Sequence, residues 1–299
     1  MGDGSRLAVV VPTRDRPELL AGCLAALCAA QVAAEDIIVV DSASSDPDAV
    51  EPARALGITV LRCDRPGASL ARNAGWRMAR QPLVAFVDDD VRVGPTWATT
   101  ITAPFSSSDI VLVTGAVAVD TPVSDRAVAT TDGVAGGRFS VDRTGHVGAS
   151  ANMAVRRDVL EAVGGFDELL GAGGRFRAAE DLDLFDRMLG YGDGWHEVSA
   201  RAVHEQWRSR RDLLGLELSY GIGFGARLAK LLRTDRARAA AIAGYEARRL
   251  VKDLVADVRR SYEFGLLSRA AWTCGVAAGV ARAVLLPVRA GHFHSRQPC

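Results

Sequence analysis

The chain has 299 residues, 48% of them hydrophobic and 24% charged, which excludes gross disorder and allows one large α/β domain with an appendage or two modest domains. The formal net charge is zero, yet residues 1–208 carry 20 basic and 29 acidic side chains while residues 209–299 carry 16 and 7. The basic tail points either to an anionic surface, such as a membrane or a polyanionic partner, or to packing on the acidic part with its remaining charges solvated.

Residues 7–11 form an apolar run ended by Pro12 and read as a buried strand. Residues 17–30 place Leu19, Leu20, Cys23, Leu24 and Leu27 on one helical face. The pattern then predicts a strand over 36–40, a helix over 46–56, a strand over 59–63, a helix over 69–80 and a strand over 83–87. A helix over 95–105 and a strand over 109–119 follow. This βαβα rhythm predicts a mostly parallel sheet covered by helices on both faces. Residues 120–147 show no sustained period and read as a long excursion. After them come a strand over 149–155, a short helix over 157–162, a Gly-rich loop over 164–177 and a helix over 181–189. From Arg211 the pattern is helical to the end.

The five cysteines have no metal-ligand spacing and read as reduced thiols in a cytosolic protein, with no signal peptide. The longest apolar stretch, 270–288, is interrupted by Arg282, so no spanning helix is expected.

In an open α/β sheet, ligands bind beyond the carboxyl ends of the strands. The residues there are Pro12, Thr13 and Arg14, then Asp41 and Ser42, then Arg65, then Asp88, Asp89 and Asp90. Three adjacent carboxylates repel one another, and off a core strand they are stable mainly when a cation compensates. Carboxylates suit Mg²⁺ or Mn²⁺, which also hold diphosphate oxygens; a solvated acidic turn is the plainer alternative. Glu180 and Asp181 begin a helix, where a carboxylate serves as a general base or as a cap. Asp183 and Arg187, four apart, read as a surface ion pair. His204 is either a metal ligand or a structural histidine. Ser150 and Asn152 alternate with apolar neighbours and so face one side of a strand, which is either the crevice, where they would meet a ligand, or the core. The segment 220–225, YGIGFG, reads either as a flexible stretch over the ligand crevice or as a close helix crossing. The segment 266–288 reads as an interfacial helix, or as one buried against the α/β domain or a second subunit.

VVVPTRDRP (9–17), VVDSASSD (39–46), GASLARNAGW (67–76) and VAFVDDDV (84–91) occur in that order, followed by GASANMAVRRDVLEAVGGFDE (148–168), AEDLDLFDRM (179–188) and HEQWRSR (204–210). Over residues 6–210 the ordered set resembles the family 2 inverting glycosyltransferases of the GT-A fold. The resemblance implies a GT-A, Rossmann-like, mostly parallel α/β sheet with helices on both faces and a C-terminal helical extension. Its nucleotide-binding half would be 1–119, its acceptor-side half 120–210, and the basic extension 211–299. By the same resemblance Pro12, Thr13 and Arg14 line the base and ribose pocket, and Asp41 accepts from the base. Arg72 lies near the base or the diphosphate, Asp88 holds the first acid position of the Asp-X-Asp pattern, and Asp89 binds ribose hydroxyls. Asp90 and His204 hold Mn²⁺ or Mg²⁺, Asp181 is the base and Glu180 orients the site. The expected partners are a nucleotide-sugar donor, uridine favoured, and a hydroxyl-bearing saccharide, lipid-linked saccharide or small molecule. No nucleic acid is expected; the tail leaves membrane-surface association at the inner face and a homodimer open. A sugar-phosphate nucleotidyltransferase would need a Gly/Arg/Lys-rich triphosphate loop, and 9–17 has neither Gly nor Lys. A catalytically inactive nucleotide-sugar-binding module is the non-enzymatic alternative.

Overall fold

The computed structural model describes residues 6–119, 131, 133–143, 145, 147–205 and 210–294. Contacts divide it into two compact units: residues up to 141, 146–166 and 184–207, and residues 142–145, 167–183 and from 208 onward. The division thus differs from a single break at 210, because 167–183 groups with the tail.

The first unit is built on strands β1 (Leu7–Thr13), β2 (Ile37–Ser42), β3 (Thr59–Cys63), β4 (Leu83–Val87), β5 (Val91–Val93), β6 (Ile110–Val119), β7 (Gly137–Phe139), β8 (Asn152–Arg156) and β9 (Asp193–His204). They form one nine-stranded sheet in the order β3-β2-β1-β4-β8-β6-β9-β5, with β7 also paired to β9. β1, β2, β3, β4, β6 and β9 run one way, and β5, β7 and β8 the other. β1, β2 and β4 are buried at every position, as strands covered on both faces must be.

The two faces are covered by different helices. Val9, Val11, Ile37 and Val39 join one core with Leu20, Cys23, Leu24 and Leu27 of α1 (Pro17–Ala29) and Ala53 of α2 (Glu51–Ala55). The alternate residues Val10 and Val40 face α3 (Ala68–Met78) at Gly75, where a Cβ would overlap the Val10 side chain. Gly75 therefore sets how closely α3 lies on the sheet. α4 (Trp97–Thr102) buries Trp97 and Ile101 in the first core, and α5 (Arg157–Ala162) follows β8. β5, β7 and β9 depart from the sequence expectation, β7 lying inside the stretch read as an excursion. The three-residue β5 and β7 are too short to show a period, and β9 mixes buried and exposed positions irregularly. The helix expected over 46–56 contracts to 51–55.

α6 (Glu180–Met188) begins in the second unit and ends in the first. The second unit also holds α7 (Arg210–Thr234), α8 (Arg236–Arg259), α9 (Glu263–Ala283) and a hairpin of β10 (Val288–Arg289) and β11 (His292–Phe293). The expectation of helix to the end is corrected by that hairpin, which turns at Ala290 and Gly291, both with positive φ. Of the two readings of 220–225, the close crossing holds. A Cβ on Gly221 or Gly225 would overlap the carbonyls of Trp272 and Val276, and one on Gly275 or Gly279 those of Leu218 and Ile222. Small residues four apart on both helices let the α7 and α9 backbones touch. α9 is also long and apolar enough to cross a membrane by length and composition, despite Arg282.

Candidate active site

The order β3-β2-β1-β4 reverses direction at β1, so the crevice beyond β1 and β4 is a topological switch point, where open sheets bind ligands. The register aligns Thr13 with Asp41, and Asp41 with Arg62. Thr13 Oγ1 donates to Asp89 Oδ2 at 2.8 Å, joining the ends of β1 and β4. Arg16 donates to Asp89 Oδ1 at 3.1 Å and lies 3.5 Å from Asp90 Oδ2. Arg72, only 3% exposed, holds Asp88 Oδ1 at 2.6 Å and lies over the Phe166 ring. Asn73, next along α3, fixes that ring's backbone: its amide donates to the Phe166 carbonyl and accepts the Phe166 N–H, both at 2.9 Å.

Burial pushes the Asp89 carboxyl up to about 6; Arg16 and the Thr13 hydroxyl oppose this, and the charges of Asp90 and Asp88 add to it. Asp90 Oδ1 stands 3.4 Å from His204 Nε2, and the Asp90 carbonyl accepts the Glu205 N–H at 2.8 Å. β9 carries His204 to this point by pairing it opposite Val91, the residue after the triplet.

The crevice wall is braced by carboxylates that accept main-chain amides. Asp41 accepts the Ser44 N–H at 2.8 Å and Arg62 at 2.5 Å. Asp15, in the left-handed region at φ 53°, accepts the N–H groups of Ser45 at 2.6 Å and Asp46 at 3.1 Å. The Asp46 amide leads the causes that hold the Asp15 carboxyl below its usual range. Pro12 is buried opposite Val40. Arg14 is half exposed and lies 3.6 Å from Asp15.

Asn152 is placed differently from the expectation of a ligand contact. It is fully buried, its amide donates to the carbonyls of Ala116 and Ala200, and its oxygen accepts from Trp97 Nε1 at 2.7 Å. Both N–H donors are consumed inside the sheet, so the side chain ties β8, β6, β9 and α4 together.

In the second unit Glu180 and Asp181 are half-buried in the first turn of α6, and Asp181 Oδ1 accepts the Leu182 N–H at 2.7 Å. The residues before them, Arg177 and Ala179, have φ of 63° and 66°, conformations that cost free energy for residues with a Cβ. The surface ion pair expected of Asp183 and Arg187 is corrected. Asp183 is buried and binds Lys230 Nζ at 2.7 Å, and Arg187 donates to the carbonyls of Val163 and Gly165 at 2.7 Å. Lys230 also holds Asp167 Oδ2 at 2.5 Å and the Gly291 carbonyl at 2.9 Å.

A model of glycosyl transferase family 2 matches residues 8–164, more than half of the chain. The chain belongs to that family. No curated protein matches it by sequence. Among solved structures, the mannosyltransferase PcManGT from Pyrobaculum calidifontis, in complex with GDP-Man and Mn²⁺, is similar with a TM-score of 0.63 at 16% identity. That likeness covers 92% of this chain and 87% of PcManGT. Residues 1–349 of S. aureus TarS, in complex with UDP-GlcNAc, give a TM-score of 0.54 at 15% identity over 76% of this chain and 71% of that one. Against the longer S. aureus TarS chain the match spans 43% of the relative's length. GalNAc-T7 with UDP, GalNAc and Mn²⁺ gives 0.53 at 16% identity, over 75% of this chain and 50% of that one. At these identities the likeness establishes the GT-A fold.

The donor atoms of this glycosyltransferase fit a Mn²⁺ or Mg²⁺ ion. Asp90 and His204 face each other at a separation long for a hydrogen bond. No group of three or more metal-ligating side chains occurs among the described residues. At phosphate sites Mg²⁺ is held through one or two carboxylates together with waters and substrate phosphates, a set to which Asp90 would contribute. His204 Nδ1 is buried without a hydrogen-bond partner among the described residues; residues 206–209 of the HEQWRSR segment lie outside them.

Residues that sequence reasoning missed are Arg16, Arg62 and Lys230. Arg16 lies just before the helix expected over 17–30, and Arg62 falls within the strand expected over 59–63, whereas Arg65 is the arginine expected at the crevice. The available signal for Arg62 was its place opposite Asp41, which needs the register.

Proposed function

We propose that this glycosyltransferase moves a sugar from a uridine diphosphate donor to an acceptor hydroxyl, inverting the anomeric carbon, and that it requires Mn²⁺ or Mg²⁺. The observation that carries the reading is the cluster of three carboxylates at the switch point. Asp88, Asp89 and Asp90 stand side by side after β4 with Arg16, Arg72, the Thr13 hydroxyl and His204 beside them, and burial still pushes Asp89 up to about 6. A buried site rich in negative charge gains free energy by taking a cation and its phosphates. The GDP-Man and UDP-GlcNAc complexes of PcManGT and TarS support the donor class.

In this reading Pro12, Thr13 and Arg14 receive the nucleoside, and Asp41, oriented by Arg62 and the Ser44 amide, accepts an N–H of the base. Asp89 accepts the ribose hydroxyls. Arg72, packed over the Phe166 ring, holds Asp88 and would lie near the diphosphate. Asp90 and His204 would hold the cation, which when bound supplies positive charge against the departing diphosphate. Asp181 takes the acceptor's hydroxyl proton as that oxygen bonds to the anomeric carbon. The bond from that carbon to the diphosphate oxygen breaks, and its electron pair leaves with the nucleotide. Attack from the face opposite the leaving group in one step inverts the centre. Glu180 orients the acceptor beside Asp181.

A thermal-shift screen of UDP- and GDP-sugars with and without Mn²⁺ tests base, sugar and cation together. Asp181→Asn should lower turnover by about 10³-fold while leaving donor affinity unchanged. Near-normal turnover in that variant removes Asp181 from the mechanism, and full turnover in excess EDTA removes the metal.

A further inference from the structure

The second unit carries a feature that sugar transfer does not use. α8 buries Ala239 and Ile242 against Phe224 and Leu231 of α7. Its opposite side exposes Val251, Leu254, Val255 and Val258, with Val251 and Val258 at 61% and 60%. The spacings of three, four and seven residues place these four on one stripe of a helix. A stripe of four large aliphatic side chains facing water is unfavourable, and such patches mark interaction surfaces.

The charges beside the stripe are sorted. The acids of α8 are paired: Glu246 with Arg249, and Asp253 and Asp257 with Arg269 of α9. The spacings of four and seven residues put Arg248, Lys252 and Arg259 in a row along one edge of the stripe. All three are exposed, and no ion pair involves them among the described residues. The helix therefore offers an apolar stripe edged by unneutralised cations.

We propose that this face of α8 docks the protein on an anionic bilayer surface, with the helix in the plane of the interface. The valines and the leucine would enter the boundary between headgroups and acyl chains, while the arginines and the lysine reach lipid phosphates along their own apolar stems. Charge argues for lipid over a second copy of the chain: residues 209–299 carry 16 basic and 7 acidic side chains, so two such units repel. The proposal assigns the lipid contact to α8 rather than to 266–288, for which the sequence leaves an interfacial and a buried helix open; in the structure the glycine-bearing side of α9 is spent on α7.

The test is flotation of the purified full chain with vesicles of phosphatidylcholine alone or of phosphatidylcholine mixed with phosphatidylglycerol. Binding should require phosphatidylglycerol and weaken as salt rises. The triple variant R248Q/K252Q/R259Q should bind about 100-fold more weakly, from the loss of three basic contacts with the anionic surface. The variant V251S/V255S/V258S should also bind more weakly, with an unchanged circular dichroism spectrum. Equal binding of wild type and either variant, equal binding to neutral vesicles, or no binding at all overturns the proposal. So does a stripe-dependent dimer in sedimentation velocity without vesicle binding. Neither donor nor turnover enters the assay, so its failure is separate from a failure of the transfer reading, which the nucleotide-sugar screen detects.

Discussion

Each unit gathers buried carboxylates, and the two groups are compensated in different ways. In the second unit Asp167 and Asp183 surround Lys230, whose ammonium reaches both of them and the Gly291 carbonyl, so its three donors are engaged. Asp167 also accepts the N–H groups of Leu169 and Phe293. In the first unit Asp88, Asp89 and Asp90 receive Arg72, Arg16 and the Thr13 hydroxyl, and Asp89 still resists ionisation until pH is about 6. Lys230 ties α7, the start of α6 and the β10–β11 hairpin into one body. Acidity alone does not distinguish the two groups; the distinction lies in how far the protein's own donors offset the burial of each carboxylate.

Removing the internal cation should have the largest effect. Lys230→Met leaves two buried carboxylates facing each other and should cost about 3–5 kcal/mol, read from urea unfolding. A loss under about 1 kcal/mol would mean that water, not the lysine, satisfies them. The next effect is a pH dependence of the cation-free protein. The folded Asp89 carboxyl titrates near 6 and the unfolded one near 3.8. The folded state therefore binds more protons between those values, and stability is lost as pH rises through that window. The loss should approach about 3 kcal/mol and vanish in Asp89→Asn. A wild-type curve as flat as the variant's would remove the burial cost. Smaller again is the gain from ligand. A uridine diphosphate donor with Mn²⁺ at about 100 times its dissociation constant should stabilise the wild type by about 2.7 kcal/mol. Asp90→Ala should lose that gain while its ligand-free stability stays level or rises. An undiminished ligand shift in Asp90→Ala would detach the triplet from the cation.

Much of the first unit was legible in the sequence because its signals are local. The bounds of β3 and β4 follow from apolar runs of the right length, and α1 from its period and from Pro17 at its start. The expectation that residues after the strands line one crevice needs only the βα rhythm, and Thr13 and Asp89 do meet there. Asn152 shows where such reasoning stops. Alternation tells that it shares a side with Ser150, but not whether that side is crevice or core. The three-residue β5 and the β10–β11 hairpin are held by pairing rather than by local preference, so no window of sequence displays them.

The amino-acid sequence by itself determined the α/β rhythm, the family and the order of the acidic and basic motifs, since each is written in residues close together along the chain. Tertiary structure alone decided which charges meet. Arg16 reaches Asp89 across 73 positions, Lys230 reaches Asp167 across 63, and His204 comes to Asp90 through the pairing of β9 with β5. Charge pairing depends on distance in space, which falls off within a few ångströms and bears no fixed relation to distance along the chain. For that reason the triplet is visible in the sequence, while its partners, and those of Lys230, are set only by folding.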